Sequence, residues 1–336
     1  MNYKILAICA LIVTFLMTVL ISKKLIPILK SKKMGQKILD IGPRWHKSKE
    51  GTPTMGGIAF IIAAIAVGAV SSVFLWIWNG AEEALPFIFT LALGLAGGLI
   101  GCVDDAAKLR NKRNEGLTAA QKFLLQLVAA ALYLFGMSMV CKTGTEIYIP
   151  FVDVSVDFGI AYYVIAMVLI CGMLNSVNLT DGIDGLASSV TLVVGIFFMA
   201  AGFMSGLAEP DGSLLTLGAV TVGACGGFLV YNLNPARVFM GDTGSIFLGG
   251  LVVGGAFMMN NPLIIVVCGL VYIIETLSVM LQVTYFKLTH GKRLFKMAPI
   301  HHHFEKCGWS ENKIVIVFTA VTAVLSALAL LGLNNR

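Results

Sequence analysis

Charge is scarce in this sequence. Only 12% of its 336 residues are Asp, Glu, Lys or Arg, while 57% are hydrophobic. A soluble domain carries roughly 25% charged residues, so a soluble globular chain is excluded. The apolar runs are long and do not alternate, which excludes a membrane β-barrel and predicts helices. Ten such runs are centred near residues 12, 63, 95, 130, 168, 197, 223, 252, 274 and 323. Spans of about 20 residues each leave only loops, with no room for a sizeable soluble domain. A single polytopic domain over residues 1–336 is expected. Paired cysteine spacing is also lacking: Cys9, Cys102, Cys141, Cys171, Cys225, Cys268 and Cys307 are scattered. That argues against a disulfide framework and against a zinc site. No small-x-small cleavage site follows the first apolar run, and Lys23-Lys24 flank its far end, so an uncleaved first span is expected.

The charge that is present is one-sided. Segments 22–52, 104–118, 233–244 and 286–313 hold 20 of the 24 Lys and Arg residues. With ten spans these segments share one side. The positive-inside rule makes that side cytoplasmic, which places the N- and C-termini outside and gives five cytoplasmic loops. All five histidines then lie inside. On the outer side, Glu146 to Gly159 alternates apolar and polar residues and predicts a small extracytoplasmic β-hairpin.

The polar motifs sit where spans meet the cytoplasmic loops. Span three ends in Gly101-Cys102-Val103-Asp104-Asp105. Two anions at the negative end of a helix are destabilised by about 0.3–1 kcal/mol each and call for a cation. Lys108 lies three and four residues on, on the same helical face. Neutralisation of a solvated helix end is the simple reading; a phosphate or metal site is the functional one. Lys122 opens span four.

Before span two, Lys49 to Gly57 offers a lysine, Thr52 and Thr54, with Pro53 suited to a helix start. It is either a helix cap with a glycine packing face or a lysine and hydroxyls held beside an anionic ligand. Span five runs into residues 175–187, with two Asn, two Asp, two Gly and no basic residue. The calcium-loop pattern is incomplete there, since its closing Glu is missing. The stretch is a turn or a binding loop carrying Asn178, Asp181 and Asp184. Span seven ends in residues 231–245, with Asn232, Phe239 and Asp242. Asp242 to Ser245 suits an N-cap, and the same geometry suits a phosphate facing backbone N–H groups. Span nine carries Glu275 near its middle, an ionisable group that is either functional or paired with a neighbouring span. His301, His302 and His303 are consecutive, which is not the i, i+4 spacing of a helical zinc site. In an extended loop they could meet a metal or phosphate oxygens.

All these clusters share the cytoplasmic side and lie at span ends, not at the midplane where transporters place coupling residues. Carboxylates beside lysines suit a phosphorylated substrate with Mg²⁺, which is held by one or two carboxylates plus phosphate oxygens. Residues alone therefore lead to Mg²⁺-dependent phosphoryl-type transfer at the inner membrane face, with no nucleic acid partner. A secondary transporter, supported mainly by Glu275, is the alternative of a different class.

The motifs KEGTPTMGG at 49–57, VDD at 103–105, NSVNLTDGIDGLA at 175–187, YNLNPARVFMGDTGS at 231–245, ETLSV at 275–279 and APIHHHFE at 298–305 cover nearly the whole chain. In them the chain resembles the phospho-N-acetylmuramoyl-pentapeptide transferase family of the polyprenyl-phosphate N-acetylhexosamine-1-phosphate transferase superfamily. TPTMGG and the triple histidine are the elements most specific to that branch. Ala106, where relatives often carry a larger residue, is a departure that bears on local packing. The resemblance implies a bacterial inner-membrane enzyme, a ten-span homodimer with a bent ninth span beside a lipid groove. It implies transfer of phospho-N-acetylmuramoyl-pentapeptide from UDP-N-acetylmuramoyl-pentapeptide to undecaprenyl phosphate. A sister N-acetylglucosamine-1-phosphate transferase is the close alternative. By the resemblance, Asp242 is the Mg²⁺ ligand, and Asp104, with Asp105 beside it, orients or deprotonates the lipid phosphate. Lys49, Asn178, Asp181, Asp184, Asn232 and Phe239 would line the nucleotide pocket, Phe239 by stacking on uracil, and Thr54 is expected among the substrate-binding residues. Lys108 and Lys122 would attract phosphate, and His301, His302 and His303 would contact the diphosphate or sugar-peptide.

Overall fold

The computed structural model describes residues 3–32, 49–111, 116–149, 151–152, 154–205 and 211–333. Part of the lysine-rich stretch after the first span, 33–48, lies outside them. Among the described residues, ten helices are long and apolar enough to cross a membrane. They begin with α1 (Tyr3–Ser31), α2 (Gly57–Asn79), α3 (Ala81–Asn111) and α4 (Ala119–Phe135), which runs on into a wider turn at Gly136–Val140. Strands β1 (Glu146–Ile149) and β2 (Val154–Asp157) then pair antiparallel, Glu146 opposite Asp157. The chain continues through α5 (Ile160–Thr180), α6 (Leu186–Met204), α7 (Gly212–Asn232), α8 (Gly241–Met258), α9 (Ile264–Cys268), α10 (Leu270–Leu288), α11 (Ile300–Lys306) and α12 (Glu311–Leu331). Helices satisfy their backbone groups internally, which is what hydrocarbon demands of a spanning segment.

Burial separates a centre from a rim. In its most apolar window α8 is 83% buried and α7 78%, against 28% for α1 and α12 and 22% for α10. The centre is built by close helix approach. α8 packs on α3 and α5, and α7 on α1 and α6. At the α3–α8 crossing a Cβ on Gly250 would lie 2.6 Å from the Gly94 Cα. In an apolar solvent such small-residue contacts supply the packing that holds helices together.

Among the described residues, three helix starts are capped by the side chain of their own N-cap residue. Thr118 and Gln121 form a reciprocal capping box on α4. Asp211 accepts from the Leu214 N–H on α7, and Ser310 from the Lys313 N–H on α12. Pro53 does not start a helix, contrary to its sequence reading. Its carbonyl accepts from Phe239 N–H (2.8 Å), and Phe239 carbonyl accepts from Gly56 N–H (2.8 Å). Extended pairing of 53–56 with 239 delays α2 until Gly57, and it brings the Thr54 motif onto the start of α8.

The ninth span is broken at Gly269 into α9 and α10. Glu275 therefore lies in the second turn of α10. Thr276 beside it donates to Ser176 Oγ (2.7 Å), four residues before α5 ends. Its level is thus the polar end of α5, not the middle of the bundle. The triple histidine also departs from expectation, since it forms the short helix α11 in place of an extended loop.

Candidate active site

Asp104 and Asp105 are not at a helix end. α3 continues to Asn111, so both acids sit within it, about two turns before its end. Each has its own surroundings. Asp105, 4% exposed, accepts from the Asp242 N–H (3.2 Å), the Thr243 N–H (2.9 Å) and the Thr243 hydroxyl (2.7 Å). It thereby caps α8, whose own preceding residue, Met240, provides no side-chain cap. The N-cap expected at Asp242 to Ser245 comes instead from another helix. Two close backbone approaches make this possible. Gly241 has φ +70°, and a Cβ there would lie 2.5 Å from Asp105 Oδ2 and 2.8 Å from Thr54 Oγ1. A Cβ on Gly101 would lie 2.1 Å from the Asp242 carbonyl.

Asp104, 3% exposed, pairs with Lys108 Nζ (2.6 Å) and accepts from Leu117 N–H (2.7 Å). Lys108 Nζ also lies 3.0 Å from Asp242 Oδ2 and 4.0 Å from Asp105 Oδ1. Lys122 Nζ reaches the same Asp242 oxygen at 2.7 Å. Asn178 donates from Nδ2 to the other Asp242 oxygen (3.0 Å) and to Ser245 Oγ (2.8 Å). Four helices, α3, α4, α5 and α8, thus place six of the expected residues in one network. Ser245 and Thr243 belong to it as well, although as sequence they read only as helix-start residues. Ala106 is exposed, so its small size leaves no packing defect.

Ligand atoms of Asp104, Asp105 and Asp242 lie within 4.8 Å of one another, close enough to hold a metal ion. Asp105 is committed to α8. Asp242 has the most accessible side chain of the three, 18% exposed. A hard cation with oxygen ligands fits this donor set. Asp181 lies in the turn between α5 and α6. Its carboxyl is held well above the usual carboxylate range, first by desolvation, then by the negative charge of Asp242, Asp105 and Asp184.

A second cluster adjoins the first. Lys49 Nζ pairs with Asp184 Oδ1 (2.7 Å) and Glu311 Oε2 (2.6 Å). Asp184 Oδ2 accepts from Asn234 Nδ2 (3.1 Å) and Ala236 N–H (2.9 Å). Asn232 is buried; its Oδ1 accepts from Gly185 N–H (3.2 Å) and its Nδ2 donates to the Val238 carbonyl (3.0 Å). Of the expected nucleotide-side residues, Lys49, Asp184 and Asn232 are therefore engaged with the loops that carry them. Thr54 is buried beside Gly241, and Phe239 is half-buried. Glu311 was not expected here. As sequence it reads as an ordinary acid in the first turn after the Ser310 cap, and only the tertiary contact reveals it.

The three histidines diverge. His301, fully enclosed, sets Nδ1 3.0 Å from Glu275 Oε2. His302 Nδ1 lies 2.6 Å from Glu305 Oε2. His303 Nδ1 accepts from Lys296 N–H (3.1 Å).

The first cluster and the Lys49 segment both fall where comparisons with known proteins match. The family described as Glycosyl transferase family 4 matches residues 84–260. The phospho-N-acetylmuramoyl-pentapeptide-transferase signature 1 matches residues 49–61. The phospho-N-acetylmuramoyl-pentapeptide-transferase of Clostridioides difficile strain 630 is 44% identical over 325 residues, 96% of each chain. This chain belongs to the phospho-N-acetylmuramoyl-pentapeptide transferase family. The relative of that name from Clostridium perfringens strain 13 is 43% identical over 96% of this chain and 98% of its own. That from Staphylococcus carnosus is 42% identical over 95% and 97%. The family match spans α3 to α8, the helices that carry Asp104, Asn178 and Asp242.

Proposed function

We propose that the protein transfers phospho-N-acetylmuramoyl-pentapeptide from UDP-N-acetylmuramoyl-pentapeptide to undecaprenyl phosphate, releasing UMP. The observation that carries this reading is the meeting of Asp104, Asp242, Lys108, Lys122 and Asn178 at one end of the bundle, in a chain of this family. A lipid phosphate oxygen attacks the sugar-linked phosphorus. The bond from that phosphorus to the UMP oxygen breaks, and UMP leaves with the electron pair. Catalysis of such a step rests on positioning and charge stabilisation.

Asp242 is assigned to hold Mg²⁺, with Asp104 the nearest second carboxylate. Mg²⁺ bound there would neutralise diphosphate charge. Lys108 and Lys122, now on Asp242, turn to phosphate oxygens when substrate arrives. Asp104 orients the lipid phosphate, and Asp105 acts indirectly by holding α8. Asn178 and Asp181 face the nucleotide sugar, with Phe239 stacking on uracil. Lys49, Thr54, Asp184 and Asn232 shape that side through the loops they tie together. His302 and His303 serve the sugar-peptide end, while His301 acts through the turn it packs against.

We further infer a single polytopic domain in a bacterial cell membrane, with both termini outside, the site on the cytoplasmic face and a homodimer as the working unit. The 20-of-24 bias of Lys and Arg supports the sidedness. The transporter reading loses its main support, because Glu275 is paired with His301. The test is formation of lipid-linked product and UMP by the purified chain in detergent. Asp242→Ala is expected to cut the rate by about 100-fold or more, the scale of losing a key electrostatic group. A near wild-type rate would overturn the metal assignment.

A further inference from the structure

Glu275 and His301 are the most deeply enclosed ionisable contact in the described residues, each with no exposed side-chain surface. Glu275 Oε2 meets His301 Nδ1 at 3.0 Å. Glu275 Oε1 and His301 Nε2 have no hydrogen-bond partner among the described residues. The Nε2 edge of the ring abuts Gly182, where an added Cβ would lie 2.1 Å from Nε2 and 2.5 Å from Cε1. Gly182 sits in the turn between Asp181 and Asp184, just beyond Asn178. Thr276, next to Glu275, donates to Ser176 Oγ on α5. The contacts close a circuit: α5, Thr276 and Glu275 on α10, His301 on α11, Gly182, and back to α5.

We propose that Glu275 is a positioning residue for the nucleotide-sugar side of the reaction, acting through His301, whose ring braces the Asp181–Asp184 turn. The contact between Glu275 Oε2 and His301 Nδ1 fixes the orientation of the ring, with its Nε2 edge against Gly182. A glutamine at 275 keeps the volume but puts an amide NH₂ in place of one carboxyl oxygen, which weakens its hold on the Nδ1 edge of the ring. The brace holds Asn178 and Asp181 in place relative to Asp242. It rests on the reading of this site as one for a nucleotide sugar.

The test uses the full chain in detergent, with steady-state kinetics for both substrates and calorimetric binding of UMP. Groups that orient a functional imidazole are worth about 10- to 100-fold at the metal sites where they have been measured. Glu275→Gln, which preserves volume, is expected to raise KM for the nucleotide sugar and weaken UMP binding by about tenfold. KM for undecaprenyl phosphate should stay within about twofold. In a His301→Ala background the same substitution should have no further effect, since a residue that acts through another adds nothing once that one is gone. Wild-type parameters for Glu275→Gln, an equal loss for both substrates, or an undiminished effect in the His301→Ala background would each overturn the proposal. Wild-type protein that binds UMP but forms no lipid-linked product would instead overturn the proposed reaction and leave the brace standing.

Discussion

Asp104 and Asp105 are sequence neighbours held by different means, and their substitutions separate accordingly. Asp105→Ala strips acceptors from two N–H groups and a hydroxyl at the start of α8. Each buried donor left unpaired costs about 1–3 kcal/mol, so a clear drop in detergent melting temperature is expected. Asp104→Asn retains an acceptor for Leu117 N–H. It should leave the melting temperature nearly unchanged while lowering the rate of UMP release. The reverse pattern would exchange the two roles. Asp181 gives a pH test. Its raised pKa means that ionisation disfavours the fold. Stability is full below the unfolded value near 4, and it falls as pH rises from there towards the folded value. Asp181→Asn removes that loss, so without Mg²⁺ it should raise the melting temperature at pH 7 and have little effect at pH 4. At this scale the sequence named the charged and amide members of the first cluster but not Thr243 or Ser245, because carboxylates, lysines and amides at span ends are conspicuous in an apolar chain and hydroxyls are not. It could not divide their labour. Nothing in Asp-Asp says which acid turns towards α8, and Glu311 gives no local sign that Lys49 will reach it.

Helix α8 carries the site because α3 can approach it closely. Among the glycines of α3, Gly101 leaves the least room, with an added Cβ 2.1 Å from the Asp242 carbonyl. Gly101→Ala is expected to cost about 1–3 kcal/mol, the usual range for overpacking, and to displace Asp242. Gly172 is an exposed glycine of α5 with nothing within 4 Å of an added Cβ. Gly172→Ala should instead be neutral or stabilise by up to about 1 kcal/mol through helix propensity. Paired melting and activity measurements decide; equal effects at the two positions would contradict the packing account. The ten long helices and the hairpin were legible because hydropathy and alternation are local signals. The starts and breaks were not. Pro53 is taken by backbone pairing with Phe239, Gly269 divides the ninth span, and the histidines close into α11 beneath Glu275. Each of these is set by a partner far away in the chain.

On the scale of the whole molecule, polarity is sorted by end. α4 leads from Lys122 away to the hairpin, and α5 returns from it to Asn178. The hairpin and the acidic cluster therefore occupy opposite ends of the bundle. Lys49, Lys108 and Lys122 also lie at the cluster's end. That division suits an enzyme that joins a water-soluble nucleotide sugar to a lipid held in the membrane. The most direct measurement is UMP release and lipid-linked product formation by the purified chain with UDP-N-acetylmuramoyl-pentapeptide, undecaprenyl phosphate and Mg²⁺. The expected result is both products in equal amounts, only when all three components are present, with the rate of both cut by about 100-fold or more in Asp242→Ala. Product formation without divalent metal, a near wild-type rate in Asp242→Ala, or no product from the wild-type chain would contradict it.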